Sequence, residues 1–305
     1  MSTEDLSARF ADLDLWPTHL AVQAMLEGQL AAAAAVQSQA EPIARAAEDA
    51  ADRLSGPDGR LIYVGAGTSG RIATMDGVEL APTFDWGGGR VAYLLAGGRD
   101  AFLSSVEGAE DDSSAGEAEM RGLAPTSSDV VVGVAASGRT PYTVAAVRTA
   151  EAAGALTIGF ANNVGTPLLQ AAAHPILLDT GAEIVAGSTR MKAGTAQKIA
   201  LNTFSTAVMV RLGRVYAGLM INMRLTNRKL HGRAVEMICA VADVGRSAAE
   251  DALDQANGDI KLAALIALGE TPEQGAASLH ALGGDLRAAM QGAKSGKRQD
   301  RRSEL

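Results

Sequence analysis

Three short stretches place hydroxyls, glycines and cations where an anion could be held. The first, Gly65-Ala66-Gly67-Thr68-Ser69-Gly70-Arg71, follows the apolar run 61–64 and opens a helical pattern. Glycines let backbone N–H groups approach an anion, a helix N-terminus favours negative charge, and Thr68 and Ser69 can donate hydroxyl hydrogen bonds. No Gly-Lys-Ser/Thr ending is present, so this is not a P-loop. Gly65, Gly67 and Gly70 match a dinucleotide spacing, but the next apolar run ends at Ala96-Gly97-Gly98, without the acidic residue such a site uses. A tight strand-to-helix turn would use the same glycines. The second stretch, Ala136-Ser137-Gly138-Arg139-Thr140-Pro141, again sets hydroxyls and backbone donors before a helix that starts with proline. The third runs from Gly187 and Ser188 through Thr189, Arg190, Met191 and Lys192 to Lys198. Arg190 and Lys192 there oppose the dipole of the helix they open, so a bound anion or a carboxylate from a partner chain is expected to offset them.

The candidate binding residues are therefore Gly67, Thr68, Ser69, Ser137, Gly138, Arg139, Thr140, Ser188 and Lys192. The ligand they suit is small and anionic, most simply a phosphorylated metabolite. Acids and bases decide what happens to it. The four histidines, His19, His174, His231 and His280, are scattered without metal-ligand spacing. Two carboxylate regions stand out instead. Glu79 is expected to end the helix after the first loop, beside Ala81-Pro82-Thr83. The run Glu107-Gly108-Ala109-Glu110-Asp111-Asp112 follows the second strand, where Asp111 and Asp112 could also cap a helix.

These residues need a scaffold, and the pattern supplies one. Short apolar runs at 61–64, 91–95, 130–134, 156–160 and 176–178 read as strands. Helical patterns lie between them at 71–80, 113–121, 142–153 and near 167–172. Buried strands alternating with helices imply an α/β fold, a parallel sheet covered by helices on both faces. Residues 18–54 read as helical, weakened or divided at Gly28 and Pro42. Longer helical runs are expected at 191–211 and near 215–242. The last third is helical and turn-punctuated, with Thr271-Pro272 as an N-cap and first-turn pair. The expected organisation is an N-terminal helical segment at 1–54, a sheet domain at 55–225, a C-terminal all-helical module at 226–290 and a basic tail at 291–305.

Composition narrows the classes. The 305 residues allow one large domain or two ordinary ones. A net charge of −8 argues against nucleic acid as a partner. The tail runs the other way, with Lys294, Lys297, Arg298, Arg301 and Arg302 against Asp300 and Glu304, and reads as a solvated terminus. Cys239 is the single cysteine, so no disulfide forms within the chain, which fits the cytoplasm; it is expected to be a buried, inert thiol. Residues 152–178 contain no Asp, Glu, Lys or Arg, but Asn162, Asn163, Gly165, Pro167 and Pro175 make them strands and loops rather than a membrane span.

Residues 65–71, 106–112, 135–142 and 187–198 together resemble the N-acetylmuramic acid 6-phosphate etherases, over about 50–290. The resemblance implies a sugar isomerase domain with flavodoxin-like architecture, the helical module, and usually a homodimer. It places Glu79 on the family's proton donor and Glu110 on its second acid/base, with Ser69, Ser137 and Thr140 on the phosphosugar loops. Three departures stand out: Thr3-Glu4 is followed by Asp5-Leu6 with Arg9 alone, Thr189 replaces a common serine, and Leu80-Ala81-Pro82 replaces Cys-Pro-Pro.

The implied reaction gives N-acetylglucosamine 6-phosphate and D-lactate in peptidoglycan amino-sugar recycling, by β-elimination and then water addition. It calls for neither metal nor other cofactor. A free glutamic acid titrates near 4.3, so a donor at this site needs burial or a like-charged neighbour, and a second carboxylate close by would supply it. Two other readings share these loops: a sugar-phosphate-binding regulatory protein like the glucokinase regulatory protein, and a phosphosugar isomerase.

Overall fold

Five apolar runs pair into one parallel sheet in the computed structural model, which describes residues 2–293. The strands are β1 (Leu61–Gly65), β2 (Val91–Leu95), β3 (Val130–Ala135), β4 (Leu156–Ala161) and β5 (His174–Leu177), in the order β2-β1-β3-β4-β5. The three central strands β1, β3 and β4 are buried throughout, as strands covered on both faces must be. One face carries Ile62, Val64 and Val131 against Met120 and Val147, from α4 (Ser113–Gly122) and α5 (Pro141–Ala152). A short α6 (Pro167–Ala171) joins β4 to β5. On the other face, the ring of Phe160 in β4 meets Phe204 edge-on, with centroids 6.2 Å apart; Phe204 belongs to α7 (Lys192–Arg211). At the amino end of the sheet, buried Asp129 takes the backbone N–H and the guanidinium of Arg60, fixing the start of β3 beside the start of β1.

Register sets the level of the loops. Gly65 pairs with Leu95 on one side and Val134 on the other, and Val134 pairs with Phe160. The strand ends are thus level, and the segments leaving β1, β3 and β4 gather on one edge. The order reverses between β1 and β3, which makes the crevice above them the ligand position of an open α/β sheet.

The chain divides into two compact units. One holds Met1–Glu79 and Gly87–Val208, with the sheet. The other holds Leu80–Trp86 and the chain from Met209 on. Its core joins α8 (Arg228–Ala242), α9 (Arg246–Gln255) and α10 (Ile260–Ala267) through Val235, Ile238, Leu253, Ile260 and Leu265. Then follows α11 (Pro272–Ala281), opened by the expected Thr271 cap in a capping box with Gln274. Of the expected basic tail, residues 294–305 lie outside the described residues.

Several expectations need correction. The N-terminal helices are α1 (Thr18–Gln37) and α2 (Ala40–Leu54), and the break falls at Ser38-Gln39. Pro42 sits in the first turn of α2, where its missing N–H costs nothing. Gly28 lies inside α1, where a Cβ would stand 2.8 Å from Ile184 Cδ1. The helix after the first loop, α3 (Gly67–Phe84), starts earlier and ends later than expected, so Glu79 lies inside it, not at its end. The long run near 215–242 is helical only from Arg228; its N-cap is Asn227, which accepts the Leu230 N–H at 3.0 Å. Cys239 is partly exposed rather than buried.

Candidate active site

The first loop is shaped by close backbone approach. A Cβ on Gly70 would stand 2.7 Å from the Gly65 carbonyl carbon, so the end of β1 and the start of α3 can touch only through these glycines. Gly70 N–H already bonds to the Ala66 carbonyl, while the first three N–H groups of α3, at Gly67, Thr68 and Ser69, precede the helical ladder. The hydroxyls of Thr68 and Ser69 make no hydrogen bond among the described residues. These donors and hydroxyls stand at the carboxyl end of β1.

The second loop faces it across the β1–β3 crevice. Gly138 has φ +63°, and a Cβ there would strike Thr166 Oγ1 at 2.2 Å. The Arg139 N–H donates to Ser137 Oγ at 3.1 Å, which orients that hydroxyl. Thr140 is the N-cap of α5, yet its side chain makes no capping bond, and Pro141 follows at N1. An uncommitted hydroxyl at a helix N-terminus is available to an anion. Arg139 is exposed.

At the third loop the structure supplies its own carboxylate. Buried Glu183 accepts the N–H groups of Lys192 and Ala193 at 3.0 and 2.9 Å, so an acid of this chain offsets the cations at the start of α7. The Lys192 side chain is buried and donates from Nζ to the Thr180 carbonyl at 2.7 Å. Burial lowers its pKa, against the opposing pull of Glu183 and Asp179. Ser188 is half-buried and Arg190 exposed, and the Ser188 hydroxyl makes no hydrogen bond among the described residues.

The two glutamates stand apart in placement. Glu110 is exposed in a 3-10 turn, Ala109–Asp111, that follows β2. Its neighbour Asp112 is the expected cap, accepting the Ala115 N–H at 2.9 Å. Arg71 of the first loop holds the intervening segment, donating to the Ala101 and Ser104 carbonyls at 2.9 Å each. Glu79 lies twelve residues beyond Gly67 on α3, about 18 Å along the helix from its first turn. One turn earlier, buried Asp76 accepts the Tyr63 hydroxyl at 2.7 Å, the Ser205 hydroxyl at 3.1 Å and the Asn202 amide, which fixes the rotation of α3 against β1 and α7. Glu79 is exposed, on a helix that also exposes Met75 and Val78.

Comparisons with known proteins bear on this arrangement. Residues 112–207 match the family described as SIS domain, and residues 40–151 match the Glucokinase regulatory protein N-terminal SIS domain. The N-acetylmuramic acid 6-phosphate etherase of Deinococcus radiodurans is 46% identical over 289 residues, 94% of each chain. The etherase of Streptomyces coelicolor is 44% identical over 95% of this chain and 93% of its own. The chain belongs to the N-acetylmuramic acid 6-phosphate etherase family. Among solved structures, the phosphoheptose isomerase GmhA of Neisseria gonorrhoeae is similar at 17% identity and TM-score 0.47, over 63% of this chain and 97% of its own.

Within this etherase-family chain, reading of the sequence missed several residues at the ligand edge. Glu183 lies in an irregular stretch whose only sequence signal is its acidity. Thr166, behind Gly138, and Asn163, after β4, are brought in by the sheet from positions remote in sequence. No helix among the described residues is long and apolar enough to cross a membrane.

Proposed function

We propose that the chain is a carbon–oxygen lyase that cleaves the lactyl ether of N-acetylmuramic acid 6-phosphate. The observation that carries this reading is the 46% identity to a named etherase over 94% of both chains. The level phosphosugar loops at the β1–β3 reversal support it. The phosphate is assigned to the first-turn N–H groups of α3, the hydroxyls of Ser69, Ser137 and Thr140, and Ser188.

With the sugar ring open, the carbon 1 aldehyde acidifies the carbon 2 hydrogen. Glu110 takes that proton, and the carbon 3–oxygen bond breaks. Glu79 protonates the departing lactate oxygen. Water then adds at carbon 3 of the unsaturated aldehyde, giving N-acetylglucosamine 6-phosphate and D-lactate. The cytoplasm is the proposed location, consistent with a lone cysteine.

Glu79 lies too far along α3 for a sugar phosphate seated on the same chain's first loop. We assign it instead to the site of a second copy, which makes the working unit a homodimer. Exposed Met75 and Val78 on α3, with exposed Tyr93, Phe102 and Leu103 around a groove of about 610 Å³, support that pairing.

The test is product analysis in oxygen-18 water. The heavy atom is expected on carbon 3 of the sugar, with carbon 2 deuterated when the solvent is deuterated. Heavy oxygen in lactate with an untouched carbon 2 hydrogen would overturn the elimination route. The match to the glucokinase regulatory protein domain favours a second reading, a phosphosugar-binding regulator; such a protein would bind the sugar and release no lactate.

A further inference from the structure

The first residues of the chain are tied into the ligand edge by polar contacts alone. Residues 2–5 form a turn in which the Asp5 carboxylate accepts the Ser2 N–H at 2.7 Å and the Ser2 hydroxyl at 2.9 Å. Thr3, inside the turn, is completely buried. Asn163 grips it twice: its Oδ1 accepts the Thr3 N–H and its Nδ2 donates to Thr3 Oγ1, each at 3.0 Å. The same Nδ2 donates to the carbonyl of Ala136, the residue before Ser137. The Thr3 carbonyl accepts the N–H of Gly187, the residue before Ser188. Thr3 is thus joined, directly or through one amide, to the backbone of both the second and third loops.

Glu4 follows this anchor and is exposed. One carboxylate oxygen takes the Thr3 hydroxyl at 3.3 Å. The other lies 3.0 Å from the point a Cβ on Gly187 would occupy, and Gly187 has φ +73°, so glycine suits that position twice over. Glu4 forms no ion pair among the described residues. The turn buries no apolar side chain: Ser2, Glu4, Asp5 and Leu6 all keep contact with solvent. Polar contacts hold it at the rim of the second and third loops, with the exposed Glu4 carboxylate bonded only to its neighbour Thr3.

We propose that Glu4 is a substrate-positioning residue, its carboxylate accepting hydrogen bonds from the sugar's hydroxyl or acetamido N–H groups. A carboxylate repels phosphate, so Glu4 orients the neutral part of the ligand while the loop donors take the anion. The proposal rests on the etherase reading for the identity of the sugar.

The experiment compares Glu4→Ala and Glu4→Gln with the unaltered full-length protein. Binding of N-acetylglucosamine 6-phosphate and of inorganic phosphate is measured by calorimetry, and KM and kcat are measured by lactate release. Glu4→Ala is expected to weaken N-acetylglucosamine 6-phosphate binding and raise KM by roughly tenfold or more, with Glu4→Gln between the two. Phosphate binding, kcat and the thermal midpoint should stay near those of the unaltered protein. Unchanged sugar-phosphate binding in Glu4→Ala overturns the proposal. Equal weakening of sugar phosphate and inorganic phosphate overturns it too, because that is the signature of a merely structural turn. If the unaltered protein releases no lactate, the etherase reading fails, and the two calorimetric titrations still decide the role of Glu4.

Discussion

Individual side chains here divide into those committed to the fold and those left with unused polar atoms. Lys192, Asp112 and Asp76 are committed, to Thr180, Ala115 and the trio of donors Tyr63, Asn202 and Ser205. Glu110 has no such engagement, which suits the proton exchange with substrate proposed for it. Glu110→Gln is expected to keep the fold and sugar binding but lower turnover by roughly 10²-fold, the scale of a general acid or base; steady-state lactate release checks this, and near-normal turnover removes Glu110 from the chemistry. Glu183 makes the opposite prediction. Glu183→Ala strips the acceptor from two N–H groups at the buried start of α7, so stability should fall by about 1–3 kcal/mol. Urea unfolding measures it, and an unchanged midpoint would mean that water or another acceptor replaces the carboxylate. The sequence showed the positive charges of the third loop and the need for a countercharge, but not its source. A partner chain or a ligand was as good a candidate as an acid nine residues upstream, because only the folded loop brings Glu183 to Lys192.

Among the elements, the strands were the most legible, because β1, β3 and β4 are buried on both faces and read as short, mainly apolar runs followed by glycine or polar residues. Their neighbours and level register were not legible, since pairing is a property of the sheet and not of any one strand. Helix ends were harder. The run before α8 has helical composition, yet Gly213 and Gly218 at positive φ and the Asn227 cap delay the helix to Arg228. The start of α10 holds a further test. Lys261 is buried there, and its Nζ donates to the Gly284 carbonyl at 2.7 Å. Burial first, then the Arg214 charge, push its pKa down to about 8, although Asp259 and Asp285 oppose them. An unfolded lysine titrates near 10.4. Between these values the unfolded chain binds the extra proton, so the stability of the helical module should rise as pH climbs from about 8 towards about 10. Lys261→Met should flatten that rise. Urea midpoints measured across the window decide it, and the same slope with and without the lysine would refute the assignment.

On the scale of the whole molecule, the tension is between the loops proposed to hold the phosphosugar, at one end of α3, and Glu79 far along it. A single chain that used both would need a ligand spanning about 18 Å of helix. The proposed two-fold pair of chains removes the tension, because each copy would present its exposed α3 face, with Glu79, to the loops of the other. This makes a prediction that neither variant alone can mimic. Chains carrying Glu79→Gln keep their loops, and chains carrying Ser69→Ala with Ser137→Ala keep their glutamate; each pure preparation should be nearly inactive. After the two are unfolded together and refolded, about half the dimers are mixed. In each mixed dimer, the intact loops of one chain face the intact Glu79 of the other. Activity should then recover to roughly a quarter of the unaltered level, one working site in every second dimer. If Glu79 served its own chain, every site in every mixed dimer would lack either the loops or the acid, and mixing would restore nothing. Sedimentation of the mixture, run beside the assay, shows whether pairs formed at all. Paired chains with no recovered activity would return Glu79 to its own chain and require α3 to carry it to the sugar by some other arrangement.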